Sequence, residues 1–281
     1  MKRFIIGTAN FGNIYGLSKK SVNKKEILKI IKEAKNLNIK FFDTANFYGK
    51  AEKILGKLNL KNFNFITKIK VTKNLIDNPN NIKKIISETI KNLKIKKIYA
   101  VLIHNPFFLK KDQQNCVFNN LLKLKKMGLI KKVGVSVYNE KEIKYLSKNF
   151  KFDIVQIPYN IFDRRFSDLG WMKKLKNKGI EIHIRSIFLQ GILLKKKQTI
   201  YFLKWKKIFD HFEKWRKNNN ISRLEACIKF AISRKYVDKI IVGIDNANQL
   251  KEIKKIKKNT QLFFPKFTTQ KEIKLINPTY W

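Results

Sequence analysis

Lys40-Phe-Phe-Asp43-Thr-Ala-Asn-Phe-Tyr48-Gly49 is the segment from which the rest of the chain can be interpreted. It begins as a short apolar run, closes that run with an acid, and continues into a tyrosine beside a glycine. Two later apolar runs have the same form, one ending at Lys68 and the other at His104. Short runs rich in β-branched and aromatic residues are typical of buried strands. If these strands lie parallel, their carboxyl ends meet at one edge, and the four ionisable side chains share a pocket.

Strand-like and helix-like segments alternate along the whole chain. Eight strands recur at a spacing of about 30 residues, the length of a strand, a helix and their loops. This pattern predicts a (β/α)8 TIM barrel. A doubly wound open sheet is the alternative, but no Gly-x-Gly-x-x-Gly turn follows the first strand, which weakens the nucleotide-binding form of that fold. The predicted strands are 3–8, runs ending at 43, 68 and 104, and then 132–136, 152–156, 180–186 and 239–243.

Polar or ionisable residues stand at the carboxyl ends of several predicted strands. Barrel enzymes carry their active sites at that end, so these side chains are the candidates for a functional site. They are Asp43, Lys68, His104, Ser136, Gln156 and Arg185.

Helical periodicity fills the segments between the strands. Ser21 is placed to cap the first helix and Asn139 to cap a later one. The helical segment from about 200 to 234 contains a break near 218–220. We expect residues 1–281 to form a single domain that ends in an irregular tail from about residue 259.

The formal net charge of +43 raises the alternative of a nucleic-acid-binding protein. The lysines, however, are spread over the polar faces of nearly every predicted helix. The aromatic residues lie within apolar runs and do not form stacking platforms between basic residues. We therefore predict no nucleic-acid partner, and we expect the charge to favour anionic small ligands such as nucleotide phosphates.

Composition also bears on the compartment. Hydrophobic residues make up 44% of the chain, which argues against disorder, yet no segment approaches the ~18 apolar residues of a membrane span. Cys116 and Cys227 lie far apart, without the spacing of metal ligands or of a disulfide framework. We expect a cytoplasmic protein with no metal and no membrane partner.

The four ionisable residues suit the protonation of an alkoxide. A free tyrosine has a pKa of ~10, and a nearby ammonium stabilises the phenolate and lowers that pKa. We expect Lys68 to lower the pKa of Tyr48 in this way, with Asp43 as the buried partner of the lysine. His104 is placed to donate a hydrogen bond to a carbonyl. The hydride for such a reduction has to come from reduced nicotinamide, because no side chain supplies one.

These residues and their flanks resemble the motifs of the aldo-keto reductases. The resemblance implies a (β/α)8 barrel and an NADPH- or NADH-dependent reductase of aldehydes or ketones. It implies that Tyr48 donates the proton and His104 orients the carbonyl, while Asp43 and Lys68 tune the tyrosine. The matching motifs extend in order over nearly the whole chain: Gly7-Thr-Ala, Asp43-Thr-Ala, Tyr48-Gly49, Lys68, His104-Asn-Pro, Gly134-Val-Ser136, Gln156 and Ile241-Val-Gly-Ile-Asp245.

The same resemblance implies that Ser136 and Gln156 bind the nicotinamide carboxamide. Here Ser136 precedes Val137, where the family often has an asparagine, so one amide contact is missing. Arg185 replaces the strand-seven aromatic that commonly stacks on nicotinamide in the family. The form Arg185-Ser-Ile-Phe-Leu-Gln-Gly191 resembles a bacterial subgroup associated with surface-polysaccharide and sugar-nucleotide gene clusters.

After strand eight, the segment Gly243-Ile-Asp245-Asn-Ala-Asn-Gln249 carries an acid where many family members place a cation against the 2′-phosphate of NADP. A carboxylate repels a phosphate and accepts a hydrogen bond from a ribose hydroxyl, which favours NADH. Lys251 and Lys254 follow closely and keep NADPH open. We therefore include Arg185, Gly243, Asp245 and Gln249 among the cofactor-binding candidates.

Two questions remain open at this point. The first concerns Asp163-Arg164-Arg165, which are either substrate contacts or a local salt bridge. The chain is an enzyme, acting for example on a sugar or sugar nucleotide, or it is a regulatory protein that keeps the fold and the cofactor but turns over slowly. The complete set of four ionisable residues counts against the regulatory protein.

Overall fold

The computed structural model describes residues 1–14, 21–257 and 262–281. In this part of the chain, eight parallel strands pair in sequence order, and the last pairs with the first to close a barrel. The predicted (β/α)8 TIM barrel is confirmed, and the open doubly wound sheet is excluded. The strands are β1 (Phe4–Gly7), β2 (Phe41–Asp43), β3 (Asn64–Lys70), β4 (Ile98–His104), β5 (Ile130–Ser136), β6 (Ile154–Pro158), β7 (Glu181–Arg185) and β8 (Lys239–Gly243).

Helices alternate with the strands, and short 3-10 turns lie between several of them. None of the described helices is long and apolar enough to cross a membrane. The α-helices are α1 (Lys24–Asn36), α2 (Ala51–Gly56), α3 (Lys73–Asp77), α4 (Ile82–Leu93), α5 (Lys111–Lys126), α6 (Glu140–Asn149), α7 (Arg165–Asp168), α8 (Trp171–Asn177), α9 (Lys206–Asn218), α10 (Arg223–Ile232), α11 (Ala247–Lys255) and α12 (Ile273–Ile276).

Helix ends agree with the sequence at most positions, and one prediction is wrong. The side chain of Asn139 accepts a hydrogen bond from the backbone N–H of Glu142 and caps α6, as predicted. The break near 218–220 is also confirmed, since α9 ends there. Helix α1, however, is capped by Asn23 and not by Ser21, because the Asn23 side chain accepts from the backbone N–H of Glu26.

Two apolar cores hold the barrel. The larger one lies between the strands and the surrounding helices. The smaller one draws its members from five different strands and fills the barrel interior. Its buried residues are Ile5, Ile66, Ala100, Leu102, Ile154 and Ile241.

A polar network surrounds Glu181 at the amino ends of the strands. The Glu181 carboxylate accepts hydrogen bonds from Nε2 of His183 at 2.6 Å and from the hydroxyl of Tyr99 at 3.1 Å, and it pairs with Lys132. Because the amino end of a barrel is the end associated with stability, we assign these residues a structural role.

The C-terminal segment packs against the loop that follows β6. Residues 262–269 form neither helix nor strand. The guanidinium of Arg164 donates to the carbonyl oxygens of Phe264 at 3.0 Å and Pro265 at 2.6 Å, and Thr268 donates to the carbonyl of Phe162. The predicted start of the tail near residue 259 lies outside the described residues.

Candidate active site

The candidate residues lie at the carboxyl ends of neighbouring strands, as expected for a barrel site. The strand register places Lys70 beside His104, His104 beside Ser136, and Ser136 beside Gln156. Alternate residues of a strand point to the same face. Lys68 and Lys70 therefore share a face of β3, which brings two cations to this end of the barrel.

Asp43 is the centre of a buried hydrogen-bonded group. Its Oδ2 atom lies 2.5 Å from Nζ of Lys68, and its Oδ1 atom accepts from the amide of Gln156 at 2.8 Å. Lys68 also donates to the carbonyl of Thr44 at 2.9 Å. Asp43 and Lys68 are 4% and 2% exposed, so each charge depends on the other for stabilisation.

Tyr48 lies in the turn after β2, next to this ion pair. The ammonium of Lys68 is 5.0 Å from the centre of the Tyr48 ring. Burial, and next the carboxylate of Asp43, raise the pKa of Tyr48 well above its ordinary value, and the charge of Arg185 does not offset them. The expected lowering of the Tyr48 pKa below its ordinary value is therefore wrong, because burial outweighs the nearby positive charges. Tyr48 keeps its proton.

His104 is held neutral at the end of β4. Burial, followed by the positive charges of Arg185, Lys68 and Lys70, lowers the pKa of His104 to about 3. Its Nε2 atom lies 3.2 Å from the hydroxyl of Tyr138. A neutral imidazole has one donor and one acceptor nitrogen, so it can donate to a carbonyl without carrying charge.

Tyr138 was not among the candidates from the sequence. Its hydroxyl lies near Nε2 of His104. The guanidinium of Arg185 stacks on its ring, with the central carbon 4.3 Å from the ring centre. The sequence did hold a signal, because Tyr138 follows Ser136 by two positions at the end of a strand. Tyr138 thus places an aromatic ring between His104 and Arg185.

The residues after β8 form a separate local group. The side-chain amide of Asn10 donates to the carboxylate of Asp245 at 2.7 Å, and the backbone N–H of Asp245 donates to Gln249 at 2.8 Å. Gly243 ends β8 and is exposed. Asn246 caps α11 through the backbone N–H of Gln249. Asp245 is therefore already tied to the loop after β1, although its side chain remains accessible.

The segment after β6 forms the local salt bridge that was one of two alternatives. The carboxylate of Asp163 and the guanidinium of Arg165 are both buried and lie 2.8 Å apart. Arg164 is used by the C-terminal segment. Substrate contacts by these three side chains are thus not supported. Among the described residues, no group of three His, Cys, Asp or Glu side chains is placed to hold a metal ion.

The sequence profile described as "Aldo/keto reductase family" matches residues 3–270. The chain belongs to the aldo/keto reductase family. Members of this family are oxidoreductases that reduce carbonyl groups and generally use NADH or NADPH.

This aldo/keto reductase is similar to proteins from several bacteria. The uncharacterized oxidoreductase YqkF of Bacillus subtilis is 23% identical over 279 residues, which cover 90% of this chain and 87% of YqkF. The holo form of AKR11C1 from Bacillus halodurans is 17% identical, with a TM-score of 0.74 over 93% of this chain and 88% of that one. The thermostable aldo-keto reductase Tm1743, in complex with the inhibitor epalrestat, is 18% identical, with a TM-score of 0.69 over 99% and 94%. At these identities the solved structures show the shared fold.

Two buried polar atoms of this aldo/keto reductase suit a nicotinamide carboxamide. Oγ of Ser136 and Oε1 of Gln156 are buried and have no hydrogen-bond partner among the described residues. Buried polar atoms are nearly always paired, so these two oxygens are suited to hydrogen bonds with a bound group. The Gln156 amide nitrogen faces Asp43, which leaves its oxygen free to accept. A carboxamide offers N–H donors to both oxygens and an acceptor for the serine hydroxyl.

Proposed function

We propose that this chain is an NAD(P)H-dependent reductase of aldehydes or ketones in which Tyr48 donates the proton. The observation that carries the proposal is the arrangement at the carboxyl end of the barrel. There Tyr48 lies against the Asp43–Lys68 ion pair, and the unpaired oxygens of Ser136 and Gln156 are buried at the ends of β5 and β6.

Each of the four ionisable residues has a distinct role in this reaction. A reduced nicotinamide, when bound, supplies the hydride to the carbonyl carbon. Tyr48 holds its proton until negative charge develops on the carbonyl oxygen, and Lys68 then stabilises the phenolate that proton transfer leaves. Asp43 pairs with Lys68 and holds its ammonium in place beside Tyr48. His104, neutral at ordinary pH, donates a hydrogen bond that orients the carbonyl.

The remaining candidate residues form two groups, one at each end of the bound cofactor. Ser136 and Gln156 hold the carboxamide, and Arg185 stands beside the nicotinamide end. Gly243, Asp245 and Gln249 face the adenosine end, where the carboxylate of Asp245 favours NADH over NADPH. This assignment is supported by the positions of Ser136, Arg185 and Gly243 at the ends of β5, β7 and β8, and of Asp245 and Gln249 just beyond β8.

We also propose that residues 1–281 act as one domain. We further propose that the enzyme works in the cytoplasm, a reducing compartment in which two free cysteines are expected. A sugar or sugar nucleotide as substrate rests on the resemblance of the segment from Arg185 to Gly191 alone.

The test is a fluorescence titration of the purified protein with NADH and with NADPH, followed by assays with a panel of aldehydes and sugar ketones. Wild type is expected to bind at least one cofactor and oxidise it. Tyr48→Phe is expected to bind the same cofactor but to lose about 10²- to 10⁴-fold in kcat, the range for a lost general acid. Tyr280→Phe makes the same change at an exposed tyrosine and should behave like wild type. If wild type binds neither cofactor, the proposal is wrong.

A further inference from the structure

Arg185 is a half-buried cation whose charge the described residues do not balance. No carboxylate of the described chain lies within ion-pair distance of its guanidinium. Its hydrogen bonds are long and go to neutral groups, the carbonyl of Val137 at 3.3 Å and the hydroxyl of Ser186 at 3.4 Å. A guanidinium has five N–H donors, so most of its donor capacity is unused. A partly desolvated arginine normally has an acidic partner, because removing its charge from water is unfavourable.

The acids nearest to this site are already occupied. Both oxygens of Asp43 are engaged, one by Lys68 and the other by Gln156. Asp163 is near enough for the charge of Arg185 to act on its pKa, but both of its oxygens accept hydrogen bonds from the guanidinium of Arg165. The pocket around the reacting groups is therefore positive, and the partner of Arg185 has to come from outside the chain.

The position of Arg185 relative to His104 indicates where such a partner lies. The Arg185 guanidinium stacks on the ring of Tyr138, and the centre of that ring is 5.6 Å from the centre of the His104 ring. The three groups are thus successive neighbours along one wall of the site. Because the Tyr138 ring lies between them, a molecule whose carbonyl is held by His104 needs a spacer to reach Arg185, and an aromatic ring is a rigid spacer with which to test this.

We propose that the substrate is an aldehyde or ketone that also carries a carboxylate, and that Arg185 binds this carboxylate. The planar fork of a guanidinium matches a carboxylate in a bidentate way. This inference rests on the proposed reductase function, and it names the class of substrate for the same site. Arg185 thereby determines specificity and does not take part in the chemical step.

The probe is a matched pair of aldehydes: 4-carboxybenzaldehyde and its methyl ester, methyl 4-formylbenzoate. The two differ in the negative charge one ring away from the carbonyl. With saturating cofactor, wild type is expected to prefer the acid over the ester by about tenfold to a hundredfold in kcat/KM, the effect of a hydrogen bond to a charged group. In Arg185→Gln this ratio should fall to about one. Any effect of the variant on the cofactor acts on both aldehydes and cancels in the ratio.

Two further variants identify the cause. Arg185→Lys keeps the charge but loses the fork, and it should retain part of the preference. Lys70→Gln removes a positive charge from the end of β3, beside His104, and should keep the preference within about threefold, since an exposed charge acts weakly through water. If Lys70→Gln loses the preference for the acid as fully as Arg185→Gln does, the preference is due to the overall positive charge of the site, and the proposal is overturned. A wild-type enzyme that reduces acid and ester equally well would also overturn it.

A binding measurement separates this inference from the reductase function. Calorimetric titration with 4-methylbenzoate, which has no carbonyl to reduce, should show binding to wild type and about tenfold or weaker binding to Arg185→Gln. If 4-methylbenzoate binds in this Arg185-dependent way but no aldehyde is turned over, the carboxylate site stands and the reductase function fails. If aldehydes are reduced but 4-methylbenzoate binds both proteins alike, the carboxylate site fails and the reductase function stands.

Discussion

The side-chain amide of Gln156 donates to Oδ1 of Asp43 at 2.8 Å, although the two residues are 113 positions apart in the sequence. One residue thereby serves two groups, since its nitrogen completes the bonding of the buried carboxylate and its oxygen is left for a ligand. This hydrogen bond thus connects the proposed nicotinamide site at Gln156 with the Asp43–Lys68 ion pair beside Tyr48.

Replacing Gln156 should affect both stability and cofactor binding. Gln156→Leu leaves one oxygen of a buried carboxylate without its partner, so we expect the free energy of unfolding to fall by about 1–3 kcal/mol. Ser136→Ala is the matched control, because the Ser136 hydroxyl has no partner to lose among the described residues. Urea denaturation and fluorescence titration of both variants should show weaker nicotinamide binding in both and lower stability in Gln156→Leu alone. Equal stability losses would contradict the dual role.

The Asp43–Lys68 pair should be far more sensitive to the loss of one charge than an exposed pair. Lys68→Met leaves a buried carboxylate unpaired and should lower the free energy of unfolding by about 3–5 kcal/mol. The double variant with Asp43→Asn should recover part of that loss. For comparison, Lys125→Met breaks a half-exposed pair with Asp153 and should cost about 1 kcal/mol or less. Denaturant unfolding checks all three, and similar losses for both lysines would disprove the expected difference.

Asp245 should influence the choice between NADH and NADPH. Asp245→Asn keeps an oxygen for the hydrogen bond from Asn10 but removes the negative charge. The ratio of the two dissociation constants should shift toward NADPH by about fivefold, which corresponds to about 1 kcal/mol between unit charges in water. Glu252→Gln removes an exposed acid from α11, the helix that follows Asp245, and should leave the ratio unchanged. A ratio that is the same in Asp245→Asn and wild type would remove Asp245 from the cofactor site.

His104 should make the fold sensitive to mild acid. Its pKa is lowered from 6.5 to about 3, so the folded protein holds it neutral while the unfolded chain protonates it. Its contribution to stability is present above pH 6.5 and is lost as the pH falls toward 3, by about 1.4 kcal/mol for each pH unit. Urea denaturation at pH 7 and pH 5 should show a smaller loss for His104→Gln than for wild type. His211→Gln, at an exposed histidine of α9, should lose as much as wild type.

Much of the fold was predictable because its signals are local. Strand β8 ends at Gly243 as predicted, since a short apolar run bounded by a glycine specifies a buried strand without further information. The cap of α1 shows the limit of such reasoning. Ser21 and Asn23 are both residue types that cap helices. Asn23 is the cap because the folded backbone places the N–H of Glu26 within reach of its side chain.

The proximity of the candidate residues was predictable, but their interactions were not. Placing polar residues at strand ends was enough to predict that Asp43, Lys68 and His104 lie at one end of the barrel. The contact of His104 with Tyr138 and the direction of the Tyr48 pKa shift both depend on which side chains meet and how deeply they are buried. These quantities are set by the closed barrel, and no local pattern contains them.

Strand β7 carries Glu181 at its first residue and Arg185 at its last, with His183 between them on the same side of the strand. One end of the strand belongs to the Glu181 network at the amino ends of the strands, and the other lies beside Tyr138 at their carboxyl ends. If Arg185 binds the substrate carboxylate as proposed, a substitution there changes which aldehydes and ketones are accepted, while Glu181 and His183 at the other end of the same strand keep supporting the barrel.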